Sequence, residues 1–233
     1  TGHKEPSGDV TPQEPPAHLD YEMWCGPAAK LPYIPARVHW NWRWNLATGG
    51  GQLLDWIGHH HDIAQWGLRR ELSGPVAVEA VGFDYPEDRS VWDAAVNYEV
   101  LCTYEDGVVV SISNRHPNGC KFIGEDGWYF VSRQASEASD PEWLTPEFSP
   151  GPFKLPPSPG HRRNFIDGVK TRAECVAPAE IAHRSITAGH LRLLAQELGR
   201  KLKWDPKTET VQGDDEAQKK LNEVIYRAPW KLA

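Results

Sequence analysis

Gly49-Gly50-Gly51-Gln52-Leu53-Leu54-Asp55-Trp56-Ile57-Gly58-His59-His60-His61-Asp62-Ile63-Ala64-Gln65-Trp66 is the stretch on which the reading of this chain turns. A helix advances 100° per residue, which puts Leu53, Trp56, Ile57, His60, Ile63 and Ala64 on one face and predicts a core-packed helix over Gln52–Trp66. Asp55, His59 and Asp62 fall on the opposite face. The preceding glycines lack the spacing of a dinucleotide fingerprint and the Lys-Ser/Thr of a phosphate-binding loop.

On either side of this helix the periodicity changes. Val38 to Trp44 alternates, with His39, Asn41 and Arg43 against Trp40, Trp42 and Trp44, and predicts a strand or extended segment. From Pro75 the period becomes two. Val76–Phe83, Ala95–Tyr104 and Val108–Ser113 read as strands, with Glu105-Asp106-Gly107 as a tight hairpin turn. Cys120–Val131 repeats the pattern around Glu125-Asp126-Gly127. A long Pro-rich loop is expected over Ser136–Pro159. Helices follow at His161–Thr171 and Pro178–Leu198, then an edge strand at Lys201–Trp204 and a short polar helix at Asp214–Val224. The sum is an α+β fold: an open mixed, largely antiparallel sheet with helices covering one face, and no Rossmann unit in this chain.

The first 37 residues carry Pro6, Pro12, Pro15, Pro16, Pro27, Pro32 and Pro35 and are expected to form a connector and surface arm without regular helix. Residues 38–233 are read as one substrate and oligomerisation domain. The chain opens at Thr1 and its only methionine is Met23, so we expect it to be a piece of a longer polypeptide whose localisation signals lie upstream. A cytoplasmic setting is favoured.

Twenty-five basic against 32 acidic residues give a net charge of −7, which argues against nucleic acid as a partner. No apolar run reaches the roughly 18 residues that span a bilayer, so no membrane is expected. The four cysteines are widely spaced, as core or incidental thiols are.

Asp55 and His59 lie one helical turn apart, close enough for a carboxylate to orient an imidazole that takes a proton from an alcohol undergoing oxidation. A solvated polar face explains the same spacing. His60, amid the apolar residues, reads as a hydrogen-bonded core histidine, and His61 lies at the edge. Adjacent helical histidines diverge too far to share one ion, so no metal is assigned. Asn41 and Arg43, beside the tryptophans, and Asp62, His161 and Arg163 are candidates for binding a hydroxyl-rich substrate.

With these residues in view, the chain resembles the C-terminal domain of the Gfo/Idh/MocA family, the glucose-fructose oxidoreductase and inositol dehydrogenase group, in particular a bacterial subgroup. The likeness runs through His18-Leu19-Asp20-Tyr21, Trp24-Cys25-Gly26-Pro27-Ala28, Val38–Trp44 and Gly50–Gly67. It continues through Ile123–Gly127, Arg163–Asp167, Ile181–Ser185 and Arg227-Ala228-Pro229-Trp230. The resemblance implies a two-domain oxidoreductase acting on a sugar or polyol. NAD or NADP would be held mainly by an N-terminal Rossmann domain that is missing here, and the sheet face would form a homo-oligomer. The family's DxGxH motif falls on Asp55 and His59, with Ile57 where the motif has glycine, and its EKP lysine belongs to the other domain. The isolated chain is therefore expected to be inactive. Two other readings stay open: a stand-alone carbohydrate-binding or assembly domain, and a metal-dependent hydrolase or lyase.

Overall fold

The computed structural model describes residues 5–148, 157–223 and 226–231. Its helices are α1 (Tyr21–Cys25), α2 (Pro35–Val38), α3 (Gly51–Gly67), α4 (His161–Thr171), α5 (Ala179–Leu198) and α6 (Asp215–Asn222). Its strands are β1 (Ala77–Asp84), β2 (Asn97–Thr103), β3 (Val109–Ser113), β4 (Cys120–Ile123), β5 (Trp128–Val131), β6 (Ser136–Ala138), β7 (Leu202–Asp205) and β8 (Thr210–Val211). Two short 3-10 helices cover Trp40–Trp44 and Pro141–Leu144.

Five strands form one sheet in the order β3-β2-β1-β7-β8, and β4-β5-β6 form a second. All strand pairings among the described residues are antiparallel. Both Asp-Gly hairpins fall where the alternation put them, because the turn glycines Gly107 and Gly127 take positive φ at no side-chain cost. Residues 202–205 are not an edge. They pair with β1 on one side and β8 on the other, which buries Leu202 and Trp204.

The main core lies between one face of the larger sheet and the helix pair α3 and α5. Val78, Val100 and Cys102 meet Leu53, Ile57, Ala188 and Leu191 there. Residues in β2 alternate, with Tyr98, Val100 and Cys102 buried and Glu99, Leu101 and Thr103 turned to the half-exposed outer face. Gly189 lets α5 approach α3 closely, since a β-carbon there would run into the Leu54 and Ile57 side chains. A second cluster joins Ile34 and Ala36 to Trp44, Val91 and Trp92, so the N-terminal arm is packed into the rest of the chain.

Three segments depart from the sequence reading. Residues 40–44 wind into a 3-10 helix instead of extending, and no neighbouring strand pairs with them. The winding lets Trp44 meet Trp40 with centroids 5.9 Å apart and stack on Trp92 at 4.9 Å. Within the arm, α1 and α2 form where helix was not expected. Asp20 caps α1 through Met23 N, and Pro35 opens α2 at the first turn, where its missing N–H is no loss. In the expected loop after Ser136, β6 extends the small sheet and Asp140 caps a 3-10 turn. Residues 149–156 of that loop, and Val224, lie outside the described residues. No helix among the described residues is long and apolar enough to cross a membrane.

Candidate functional site

Helix α3 is set up by the glycine run. A β-carbon at Gly49 would sit 2.5 Å from the Arg43 carbonyl oxygen, and one at Gly51, where φ is +72°, would sit 2.7 Å from Ala94 Cβ. Only glycine allows the helix to start this close to the Trp-rich 3-10 turn. The buried stripe is Gly51, Leu53, Ile57, His61 and Gln65. This is rotated from the face read off the sequence, and Ile63 and Trp66 lie exposed.

The rotation exchanges the roles of two histidines. His61, 2 % exposed, is the core histidine, and His60 is half-buried toward the outside. His61 Nδ1 lies 2.8 Å from the Ser185 carbonyl and so carries the proton donated there. Its Nε2 lies 3.1 Å from Tyr104 Oη and accepts. Tyr104 Oη is also 3.1 Å from the Gln65 amide oxygen, and one phenolic proton cannot serve both acceptors. Turning the Gln65 amide so that its NH2 donates to Tyr104 satisfies that NH2, which otherwise has no partner. Burial holds the His61 pKa below its ordinary 6.5 and keeps the ring neutral, despite the opposing Ser185 carbonyl and Asp62.

Asp55 and His59 stand exposed on the outer face of α3, as their spacing requires. No hydrogen bond joins them among the described residues. Asp55 Oδ1 instead faces Arg43 Nε at 3.7 Å. The Arg43 guanidinium lies over both Trp40 and Trp42, 4.6 Å from each ring centroid. His59 meets the edge of Trp56 with centroids 5.7 Å apart, and His60 tilts against the same indole at 5.4 Å. Arg133, from the β5–β6 turn, covers Trp56 at 5.6 Å. His60 has its pKa lowered by partial burial, and then by Arg133 and His59.

The remaining candidates are dispersed. Asn41 is 3 % exposed, donates to the Ser7 and Ala36 carbonyls at 2.9 and 2.7 Å, and accepts from Trp92 Nε1 at 3.0 Å. Its amide is thus paired inside the fold, where it ties the arm to the Trp-rich turn. Asp62 accepts from the Ser185 hydroxyl at 2.5 Å, tying α3 to α5. His161 and Arg163 lie on α4, which buries none of its residues, and Arg163 Nε donates to Asp167 at 2.8 Å. Neither is brought to Asp55 and His59 by any described contact. Sequence reasoning passed over Arg133, which stands alone in a strand turn with no local pattern to mark it.

A cavity of about 310 Å³ is lined by Trp24, Cys25, Ala28, Trp42, Ala47 and Thr48. Neither Asp55 nor His59 lines it. Arg43 connects the two places, lying over Trp42 on one side and facing Asp55 on the other. Among the described residues no group of three or more His, Cys, Asp or Glu side chains could hold a metal ion. Nor do they include a parallel strand-helix-strand crossover, so the described residues do not fit the pyrophosphate of a dinucleotide.

Against known proteins, residues 5–232 match the oxidoreductase family, C-terminal alpha/beta domain (GFO_IDH_MocA_C2). The chain belongs to this family. A search of curated proteins gives no match. Among solved structures, it is similar to an NAD-binding protein from Listeria innocua, with 20% identity and a TM-score of 0.47 over 70% of this chain and 50% of that one. It is also similar to an aldose-aldose oxidoreductase from Caulobacter crescentus complexed with glycerol, with 19% identity and a TM-score of 0.49 over 70% and 50%. A myo-inositol dehydrogenase-like structure from Sinorhizobium meliloti 1021 matches at 13% identity and a TM-score of 0.35, over 66% and 50%. The chain thus spans about half the length of these structures. Within the oxidoreductase family, it is the C-terminal alpha/beta domain, with antiparallel sheets and helices.

Proposed function

We propose that this domain is the substrate side of an NAD(P)-dependent sugar or polyol oxidoreductase, with His59 as its proton-transfer residue. The observation that carries this reading is an exposed imidazole on a core-anchored helix, in a chain that belongs to an oxidoreductase family. The dinucleotide is held outside this chain, by a nucleotide-binding domain that completes the site. A nicotinamide cofactor held there would supply the hydride acceptor.

The chain's own share is to hold the substrate and move a proton. As the alcohol carbon is oxidised, the hydroxyl oxygen gives its proton to a His59 ring nitrogen, while the buried stripe of α3 fixes where that ring stands. Asp55, facing Arg43, stands one turn from His59 on the same side of α3. It is a positioning residue. The indoles of Trp40, Trp42 and Trp56 offer apolar faces for a sugar ring.

The test is turnover in the enzyme that contains this chain and its nucleotide-binding domain. His59→Ala should lower kcat by roughly 10²–10⁴-fold without lowering thermal stability. Unchanged kcat would remove the assignment. The chain by itself should neither bind NAD(P) nor turn over, and turnover by it alone would overturn the external placement of the cofactor. We also propose self-association through the outer face of the larger sheet, where Val81 and Leu101 are half-exposed. Leu101→Glu should shift the sedimenting species toward monomer, and an unchanged distribution would exclude that face.

Asp55 bound to Arg43, and not to His59, favours a second reading: a carbohydrate-binding or assembly domain without chemistry. Saturable sugar binding that survives His59→Ala, with no effect of that change on turnover, would select it.

A further inference from the structure

We infer that the outer face of α3 recognises the anionic group of a sugar, a carboxylate or a phosphate, through Arg133, His59 and His60 gathered around Trp56. This rests on the reading that the same face handles a sugar, and it narrows the substrate to the acidic members of that class.

The placement of charge is the argument. Three side chains that carry or can gain positive charge touch one indole: Arg133 at 5.6 Å, His59 at 5.7 Å and His60 at 5.4 Å. The helix's own acids are turned elsewhere, Asp55 to Arg43 and Asp62 to the Ser185 hydroxyl. Arg133 has no ion pair or hydrogen bond among the described residues, and its guanidinium lies over the ring of Trp56. In a chain of net charge −7 with many acids at hand for a surface arginine, this leaves a concentrated site of unneutralised donors.

Two of the groups also oppose the third. Arg133 and His59 both disfavour the charged form of His60, in addition to its partial burial. A bound anion reverses that repulsion, because it accepts from the guanidinium and stabilises the protonated His60 imidazole. A neutral sugar gains none of this. Exposed Ile63 and Trp66, further along the same face of the helix, supply apolar surface for the sugar. Arg133 arrives from the small sheet and α3 from the main core, so the site depends on how those two parts pack. The contact that joins them includes the Cys120 thiol donating to the His60 carbonyl at 3.0 Å.

The test titrates the intact protein, labelled at histidine, with D-glucuronate, D-glucose 6-phosphate, D-glucose and inorganic phosphate, following the His59 and His60 resonances against pH. An acidic sugar is expected to bind saturably, to raise the His60 midpoint, and to bind at least roughly tenfold more tightly than glucose. A response to glucuronate alone assigns a carboxylate site, and one to glucose 6-phosphate alone a phosphate site. Arg133→Gln should abolish the preference and Arg133→Lys should retain part of it, with the same melting temperature in both. Equal affinity for glucose, an unchanged preference in Arg133→Gln, inorganic phosphate binding as tightly as the sugars, or no response to any probe would each overturn the inference. Should it fail while His59→Ala still abolishes turnover on a neutral polyol, the proposed function stands without it.

Discussion

On the inner face of α3 the His61 imidazole is held at both nitrogens, by Ser185 and Tyr104, whereas on the outer face the His59 imidazole meets the edge of Trp56 and has no hydrogen bond among the described residues. They stand two positions apart in sequence, and both have the same unperturbed chemistry. Burial decides the difference. A ring enclosed in the core must have each polar atom paired and stays neutral, so it contributes to specifying the fold. A ring at the surface keeps a nitrogen free to exchange a proton, so it can contribute to chemistry.

If this division is right, substitutions on the two faces should separate stability from activity. The largest stability effect is expected from His61→Ala, which leaves a cavity and unpairs Tyr104 and the Ser185 carbonyl. A loss of about 2–4 kcal/mol in denaturant unfolding is expected, and a loss no larger than that of His59→Ala would break the comparison.

The same variant should also alter the pH dependence. The His61 pKa is held below 6.5 in the folded chain, so the unfolded chain binds the extra proton first. Its contribution to stability is full above about 6.5 and falls as pH drops through the window between that value and the lowered folded pKa. His60 and His190 are shifted in the same direction and add the same sign. His61→Ala should therefore flatten, without removing, the fall of stability on the acid side. An unaltered slope would mean that His61 is not neutral in the fold.

A smaller effect sharpens the packing side of the comparison. Gly189→Ala drives a methyl group into Leu54 and Ile57, on the inner face of α3. It should cost about 1–3 kcal/mol and move α3 slightly, which lowers turnover less than His59→Ala does. Full stability in this variant would show that the two helices have room the structure does not display.

The secondary structure was legible in the sequence wherever a signal was local. The two Asp-Gly hairpins, the start and end of α4, and α5 closing at Gly199 each depend on a turn, cap or repeat within a few residues. The Trp-rich segment misled because alternation describes side-chain directions only if a partner strand exists, and none pairs with residues 40–44. Residues 202–205 misled in the other sense, since a short polar-flanked run gives no hint that β8 will cover its free edge. Within the candidate site, Asp55 and His59 could be found from their spacing. Arg133 could not, because its only relation to them is through Trp56, across more than 60 residues of chain.

By itself the sequence determined the type and order of the main elements, and the presence on one helix of a carboxylate one turn before a histidine. Those features follow from backbone geometry and nearest-neighbour preference, which act over a turn or two. Only the tertiary structure decided which histidine is buried, that Asn41 is buried, and that Asp55 pairs with Arg43. Each of these depends on a phase of roughly one residue around the helix axis or on a contact between distant segments. Such choices are made by packing, where the alternatives differ by whether a polar atom finds its partner.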